Sequence, residues 1–207
     1  MIAPQTYETD LNEEGTEPSG SYRESPRGSL EQNSLWDSLS DFKTQNGKDL
    51  LALTHEKPVL LVFLRHLGCT FCREALSDVA SRKKSLSEKG IEPVFVHMSD
   101  DEAEVQALFA QYGVEDCSRV SDPQRNLYRA FGLRRGTILQ VLGPKVMWRG
   151  FVSAILKGYG FGMPKQDPLQ LPGIFLLHHG KVLKDFRHET SADHPDYDAF
   201  GQCKGCE

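Results

Sequence analysis

The chain has 207 residues, of which 39% are hydrophobic and 26% charged, and its formal net charge is −5. This balance is typical of a soluble globular protein, and the acidic net charge argues against a nucleic-acid-binding function. The first residues, MIAPQTYETDLNEEG, lack the basic start and apolar core of a secretory signal. The longest apolar run, 59–64, is too short to cross a bilayer, so we expect a cytoplasmic protein.

Residues 1–34 differ in composition from the rest of the chain. They are rich in Glu, Ser, Gly, Pro and Thr and poor in large apolar residues. Such a segment buries too little apolar surface to offset the entropy lost on ordering. We therefore expect a disordered acidic tail over 1–34, one folded domain over 35–198 and a flexible tail over 199–207.

The folded segment alternates predicted strands and helices. The run VLLVFL, at 59–64, predicts a central strand buried on both faces. A helix is expected from about residue 70 to 89 with Gly90 as its stop, and IEPVFVHM predicts a second buried strand. Two parallel strands joined by a helix are the unit from which α/β sheets are built.

The second half of the domain carries helix starts and a hairpin. Ser99 with Glu102 predicts a capping box, and Asp122 followed by Pro123 predicts another helix start. The stretch IFLLHHGKVLKDF predicts a β-hairpin that turns at residues 179–180. The pattern as a whole predicts an α/β fold that ends in a hairpin.

Two further segments are assigned structural roles. In VMWRGFVSAIL, the side chains of Trp148, Phe151 and Ile155 fall on one helical face, which we expect to pack against the domain. If that face is exposed instead, it is a partner or membrane-surface patch. The polar segment RHETSADHPDY, which contains His188, is either a polar loop near the site or a surface segment, and we favour the surface segment.

Cys69 and Cys72 stand where the apolar strand runs into the following helix. The carboxyl ends of parallel strands form the functional edge of an α/β sheet, and a helix N-terminus favours an anion. We expect the Cys69 thiolate to be that anion and to act as the nucleophile. Cys72, one turn further on, would resolve the product into an intramolecular disulfide. The alternative is a pair of buried structural cysteines.

Three basic side chains lie close to this pair in sequence: Arg65, His66 and Arg73. Positive charge lowers the pKa of a cysteine, and a hydrogen-bond donor stabilises its thiolate. We therefore assign all three a supporting role at the dithiol.

The C-terminal GQCKGCE holds a second C-x-x-C pair, Cys203 and Cys206. We consider a redox relay, in which this flexible dithiol reduces the Cys69–Cys72 disulfide, and equally two exposed thiols without a role. A zinc site made of both pairs is a third alternative, although their separation far exceeds the usual spacing of zinc ligands. Cys117 stands alone and is expected to be structural.

The segment VFLRHLGCTFCREAL resembles the active-site segment of the selenoprotein-L-like proteins, a branch of the AhpC/TSA-type peroxiredoxin-like proteins. The similarity continues through LPGIFLLHHGKVL and covers roughly residues 40–198. It implies a thioredoxin-like three-layer α/β fold with a central mixed sheet and a C-terminal β-hairpin. It also implies thiol redox chemistry at Cys69 and Cys72.

The chain departs from the patterns of both related groups. Peroxiredoxins carry P-x-x-x-T-x-x-C, whereas counting back from Cys69 places His66 at the threonine and Val62 at the proline. Compared with thioredoxin, Phe71 replaces the proline between the cysteines. Pro172, in QLPGIF, matches the cis-proline that faces the dithiol in that fold, so we expect a cis bond that shapes the substrate groove.

These observations predict a thiol-disulfide oxidoreductase of peroxiredoxin-like type that reduces peroxide or disulfide substrates. Its electrons would come from a thioredoxin- or glutathione-type reductant, and it would need no organic cofactor or metal. The alternative is a non-enzymatic binding module, either with zinc on the two C-x-x-C pairs or as a redox-inert scaffold.

Overall fold

The computed structural model describes residues 21–23, 37–156, 162 and 165–201. Its strands are β1 (Ser21–Arg23), β2 (Val59–Phe63), β3 (Glu92–His97), β4 (Ser118–Ser121), β5 (Gly173–His178) and β6 (Lys181–Arg187). They form one mixed sheet in the order β1-β6-β5-β2-β3-β4. Strands β2, β3 and β4 run parallel, whereas β5 is antiparallel to both β2 and β6.

Helices cover both faces of this sheet. They are α1 (Leu50–Glu56), α2 (Thr70–Glu88), α3 (Glu102–Gln111), α4 (Asn126–Ala130), α5 (Ile138–Leu142) and α6 (Pro144–Phe151), which continues as a π-helix over Val152–Leu156. The layering confirms the predicted three-layer α/β architecture. Within the described part of the chain, none of the helices has both the length and the apolar character that crossing a bilayer requires.

Strand β2 is buried along its whole length because both of its faces are covered. Leu60 and Val62 pack with residues of α2 and α3 in one apolar cluster. Leu61 and Phe63 point to the opposite face and pack with residues of α1 and α4. The alternation of side chains along a strand therefore turns one continuous apolar run into the centre of two cores.

The predicted hairpin and the end of the first long helix are confirmed. The turn between β5 and β6 places His179 and Gly180 at φ 50° and 68°, the left-handed pair that a tight hairpin needs. Helix α2 ends at Glu88, and Gly90 follows with φ 68°. Glycine adopts this conformation without a steric penalty, which explains the clean stop.

The two predicted helix starts are wrong in detail. Helix α3 is capped by the side chain of Asp101, and the hydroxyl of Ser99 instead accepts the N–H of Asp101 at 3.2 Å. The Asp122 carboxylate accepts the N–H groups of residues 126–128, so it caps α4 from outside the helix. A turn in which Arg125 has a left-handed backbone conformation separates Asp122 from α4, and the helix begins after this turn.

The helix predicted around Trp148 is present, but its packing is the reverse of the expectation. Trp148, Phe151 and Ile155 are 71%, 51% and 59% exposed. The smaller residues of the same stretch are buried instead: Val146, Gly150 and Ala154. Together with the exposed Met147, the three large side chains form what we call the apolar face, defined as Met147, Trp148, Phe151 and Ile155.

Strand β1 lies inside the segment that the composition assigned to a disordered tail. It pairs antiparallel with β6, with Ser21 opposite Arg187 and Arg23 opposite Asp185. The remainder of 1–34, and the predicted tail from residue 202 onward with Cys203 and Cys206, lie outside the described residues.

The hydroxyl of Tyr128 joins the ends of two central strands. It donates to the carbonyl of Leu64 and lies 3.1 Å from the carbonyl of Val96, and its ring is fully buried. Tyr128→Phe leaves the Leu64 carbonyl without this donor in a dry core, so we expect the free energy of unfolding to fall by about 1–2 kcal/mol. Denaturant unfolding measures the loss; Tyr112→Phe, at a half-buried position, is the matched control and should lose less.

Candidate active site

The two cysteines lie at the junction between β2 and α2. Cys69 is the N-cap residue of α2 and has an extended backbone, while Cys72 lies in the first helical turn. Both side chains are buried, at 6% and 3% exposure, and both are free thiols. The strand ends here because Leu64 is its last residue to bond with the neighbouring β3, and Leu67 to Cys69 then turn into the helix.

Arg65 contacts both sulfur atoms. Its backbone N–H donates to Cys72 Sγ at 3.1 Å, and its guanidinium Nη1 donates to Cys69 Sγ at 3.4 Å. The side chain is only 4% exposed. A positive charge is therefore held beside the two sulfurs in a site that water barely reaches.

The guanidinium of Arg65 is fixed by a segment about a hundred residues further along the chain. Its Nε donates to the carbonyl of Gln170 at 3.1 Å, and its Nη2 donates to the carbonyl of Pro168. The same segment accepts the N–H of Leu67 through the side chain of Gln166. The sequence carries no local signal for these contacts, because they join positions that are distant along the chain.

The pKa of the Cys69 thiol is lowered to about 6. The largest cause is the hydrogen bond from the Cys72 thiol, and the positive charge of Arg65 and the backbone N–H groups of Phe71 and Cys72 add to it. Burial opposes the shift. Cys69 is therefore mostly a thiolate at neutral pH, which is the reactive form of a cysteine.

The pKa of the Cys72 thiol moves the opposite way and lies well above its ordinary value. Burial is the largest cause, followed by the hydrogen bond to Cys69 and the negative charge of Cys69, while Arg65 opposes the rise. At neutral pH, Cys72 keeps its proton and donates it in a hydrogen bond to the Cys69 thiolate. The environment therefore gives two chemically identical groups different protonation states.

The other two basic residues take different positions. His66 is buried, and its pKa is lowered to about 4 by burial and by the neighbouring Arg65, so its ring is neutral at pH 7. Its carbonyl accepts the N–H of Cys69 at 2.9 Å. A β-carbon placed on Gly162 would lie 3.1 Å from Arg73 Nη2, so the guanidinium of Arg73 lies close to Gly162. The positive charge at the sulfurs thus comes from Arg65.

A buried ion pair beside the dithiol was not anticipated from the sequence. Glu74, two residues after Cys72, is buried and accepts a hydrogen bond from Arg149 of α6 at 3.0 Å. The Arg149 guanidinium also lies 5.1 Å from the centre of the Phe71 ring. Phe71 and Glu74 therefore connect α6, which carries the apolar face, to the dithiol helix. The signal available was a carboxylate on the buried face of a helix, where charge requires a partner.

The peptide bond before Pro172 is trans, so the expected cis bond is wrong. The preceding residue, Leu171, donates its N–H to the carbonyl of Arg134, and the Pro172 carbonyl accepts the N–H of His188 at 3.4 Å. The trans form is the one that X-Pro bonds intrinsically favour. Pro172 nevertheless lies at the start of β5 and lines the same small cavity as Cys72.

The segment RHETSADHPDY is only partly at the surface: Glu189 and Asp196 are exposed, but residues 191–193 are buried. It is anchored by Tyr197 and Phe200, which are buried in the core cluster that contains the two cysteines. As a result, His188, Asp193 and His194 line the cavity beside Cys72. Its many polar residues are typical of an exposed loop, and its two aromatic anchors stand at its last residue, Tyr197, and three residues beyond it, at Phe200.

A profile of the family described as AhpC/TSA antioxidant enzyme matches residues 78–190. The match begins after the dithiol and spans more than half of the chain. Among curated proteins, the prostamide/prostaglandin F synthase of Salmo salar is 26% identical over 151 residues, which cover 70% of this chain and 74% of that protein. The peroxiredoxin-like 2C protein of Bos taurus is 24% identical over 169 residues, with 75% and 71% covered.

Superposition on solved structures identifies the fold. The bacterioferritin comigratory protein of Xanthomonas campestris, described for its alkyl peroxide reduction activity, superposes with a TM-score of 0.53 at 17% identity, covering 75% of this chain and 86% of that one. Peroxiredoxin Q from the same organism gives 0.52 at 17% identity, covering 75% and 85%. The fold is thus the thioredoxin-like α/β fold found in peroxiredoxins, and the chain belongs to the AhpC/TSA antioxidant enzyme family.

Proposed function

We propose that the protein is a thiol-disulfide oxidoreductase of peroxiredoxin-like type, in which Cys69 is the nucleophile and Cys72 the resolving cysteine. The observation that carries the proposal is the geometry of the dithiol. A thiolate at a helix N-terminus accepts hydrogen bonds from a second thiol and from a buried arginine. Membership of the AhpC/TSA family, whose match covers residues 78–190, supports thiol-dependent redox chemistry in this protein.

In the first step, the Cys69 thiolate attacks a peroxide oxygen. An S–O bond forms, the O–O bond breaks, and the leaving oxygen takes up a proton. With a disulfide substrate, Cys69 instead forms a mixed disulfide and releases a thiolate. Arg65 stabilises the nucleophile in both cases, and the neutral His66 stands where peroxiredoxins carry their threonine.

In the second step, the sulfur of Cys72 attacks the sulfur of oxidised Cys69. The S–S bond forms while hydroxide, or the substrate thiolate, leaves. Two electrons from a thioredoxin- or glutathione-type reductant then restore the dithiol. For Cys203 and Cys206, a relay for these electrons and two thiols without a role stay equal alternatives. Assignment to the selenoprotein-L-like branch and to the cytoplasm also stays a prediction.

The alternative, a non-enzymatic binding module, requires either a zinc site or a dithiol that is not reactive. Within the described ranges, no group of three or more His, Cys, Asp or Glu side chains is arranged to hold a metal ion. A zinc site would need Cys203 and Cys206, which lie outside those ranges. A redox-inert scaffold has no use for a cysteine with a lowered pKa, which favours the enzyme proposal.

A second candidate function is the reduction of an apolar, lipid-type substrate by the same dithiol. The apolar face favours it, because large side chains are exposed on a helix that contacts the dithiol helix through Phe71 and Glu74. A β-carbon on Gly150 would lie 3.6 Å from the Phe71 ring. Several related proteins are named prostamide/prostaglandin F synthase, which is consistent with such a substrate.

The roles of the two cysteines predict distinct products after stopped-flow mixing with hydrogen peroxide or a model disulfide. The wild-type protein should form a Cys69–Cys72 disulfide, seen by mass spectrometry. Cys72→Ser should stop at a Cys69 sulfenic acid or mixed disulfide, and Cys69→Ser should form no oxidation product or adduct at Cys72. The control is Cys117→Ser, because burial raises the pKa of Cys117 to about 11 and keeps that thiol inert. Wild-type protein that is inert to both oxidants would leave only the binding module.

The charge of Arg65 predicts the acidity of Cys69. Arg65→Met removes that charge, so the pKa of Cys69 should rise by about 1 unit, and alkylation at pH 6.5 should slow roughly threefold. The pH dependence of the iodoacetamide reaction measures the pKa. Arg65→Lys keeps the charge and should shift it less, and Arg73→Met should leave it unchanged. A folded Arg65→Met variant with the wild-type pKa would contradict the role given to Arg65.

The apolar face predicts a preference among peroxides. If it guides apolar substrates, Trp148→Ser and Phe151→Ser should lower kcat/KM for a fatty-acid hydroperoxide by about tenfold, since each removes a large apolar contact. The rate with hydrogen peroxide serves as the internal control and should not change. Equal losses with both peroxides would count against a lipid-type substrate.

A further inference from the structure

The resolving step requires a group that accepts the proton of Cys72. Cys72 must lose its proton before its sulfur can attack, because the thiolate is the nucleophile in thiol exchange. Burial raises the pKa of Cys72 well above its ordinary value, and its contacts with Cys69 and the Arg65 N–H lie within the protein. Water has little access to this thiol, so a proton acceptor close to Cys72 is needed.

A small cavity lies beside Cys72. Its volume is about 30 Å³, which matches the space of one water molecule. Cys72 lines it from α2, Pro172 from the start of β5, and His188 from the segment that follows β6. The His188 ring is held edge-on against Phe186, with 5.0 Å between ring centres. The cavity thus links a buried thiol to an imidazole whose position is fixed.

The other titratable groups that line the cavity are Arg65, Glu74, Asp78, Asp193, His194 and Tyr197. Arg65 donates to Cys69 Sγ and to the carbonyls of Gln170 and Pro168, and burial raises the pKa of Tyr197 well above its ordinary value, so its hydroxyl keeps its proton. Glu74 is paired with Arg149, and Asp78 lies 3.0 Å from the ring nitrogen Nε2 of His194. The Asp193 carboxylate accepts two backbone N–H groups and a hydroxyl from residues 189–190. His188 differs from these groups, because its Nδ1 is buried and has no hydrogen-bond partner among the described residues.

His188 is uncharged at neutral pH and can therefore accept a proton. Burial lowers its pKa to about 4, Asp193 opposes that shift, and the charges of His194, Arg149 and Arg65 add to it. The ring is therefore neutral at pH 7. Once Cys72 ionises, its negative charge favours a proton on the nearby imidazole, so a thiolate–imidazolium pair replaces two neutral groups.

We propose that His188 accepts the proton of Cys72, through a water molecule in the cavity, when Cys72 attacks oxidised Cys69. This inference rests on the proposed function and deepens its second step. The S–H bond of Cys72 breaks and its proton passes to His188. The S–S bond forms as the S–O bond of the Cys69 sulfenic acid breaks. The departing hydroxide takes up a proton and leaves as water, and His188 returns its proton to solvent.

The test separates the two steps in a single turnover of the full-length reduced protein with hydrogen peroxide. Thiol loss at Cys69 reports the first step, and disulfide formation after acid quenching reports the second. His188→Gln should leave the first rate unchanged and slow the second by about 100-fold. The control is His97→Gln, because His97, like His188, has a buried ring nitrogen without a hydrogen-bond partner among the described residues and a pKa lowered to about 4. His97 is fully buried, whereas His188 is half-buried. The His97→Gln variant should resolve at the wild-type rate.

The pH profile distinguishes a proton acceptor from a structural role. With His188 present, the second step should be independent of pH between 6 and 8, because the ring is neutral throughout that range. In His188→Gln, the rate should rise about tenfold per pH unit, following the thiolate fraction of Cys72.

Two outcomes overturn the inference. One is a folded His188→Gln variant that resolves within about twofold of wild type. The other needs no variant: a wild-type rate that itself rises tenfold per pH unit means that no internal acceptor operates. Failure of the proposed function gives a different result, because the wild-type protein would then form no Cys69–Cys72 disulfide at all.

Discussion

The site depends on one buried cation. Arg65 contacts both sulfurs and is held in place by the carbonyls of Pro168 and Gln170. A buried charge is costly unless it is paired, and the Cys69 thiolate is the anion it lies against. The segment that fixes Arg65 therefore also determines the reactivity of Cys69. Oxidation removes the anion and leaves the guanidinium with carbonyl partners alone, so the redox state of the dithiol and the placement of residues 165–170 are energetically linked.

The two thiols show how burial and hydrogen bonds determine the sequence of the two reaction steps. Cys69 accepts hydrogen bonds at a helix N-terminus and is ionised, whereas Cys72 is buried beside the negative charge of Cys69 and keeps its proton. Cys69 can therefore attack at neutral pH without losing a proton, whereas Cys72 must first transfer its proton to an acceptor. The cavity that Cys72 shares with the neutral His188 is the place that we propose for this transfer.

Sequence reasoning was accurate where local chemistry decides the structure. The apolar run of β2, the stop at Gly90 and the turn at 179–180 follow from side-chain size and backbone freedom. It was inaccurate where distant contacts decide. Amphipathic spacing located α6 but could not tell that Val146 and Ala154, rather than Trp148, meet the core. The contacts of Arg65 with residues 168 and 170, and the place of His188 beside Cys72, depend on how the sheet brings remote segments together.

Strand β1 completes the sheet on the side of β6. An edge strand offers unpaired N–H and C=O groups, and such an edge is a template for pairing with another chain. By lying antiparallel along Asp185 to Arg187, residues 21–23 cover part of that edge. Proteolytic removal of the N-terminal segment would uncover it, and the trimmed protein would then be the form most prone to self-associate into aggregates.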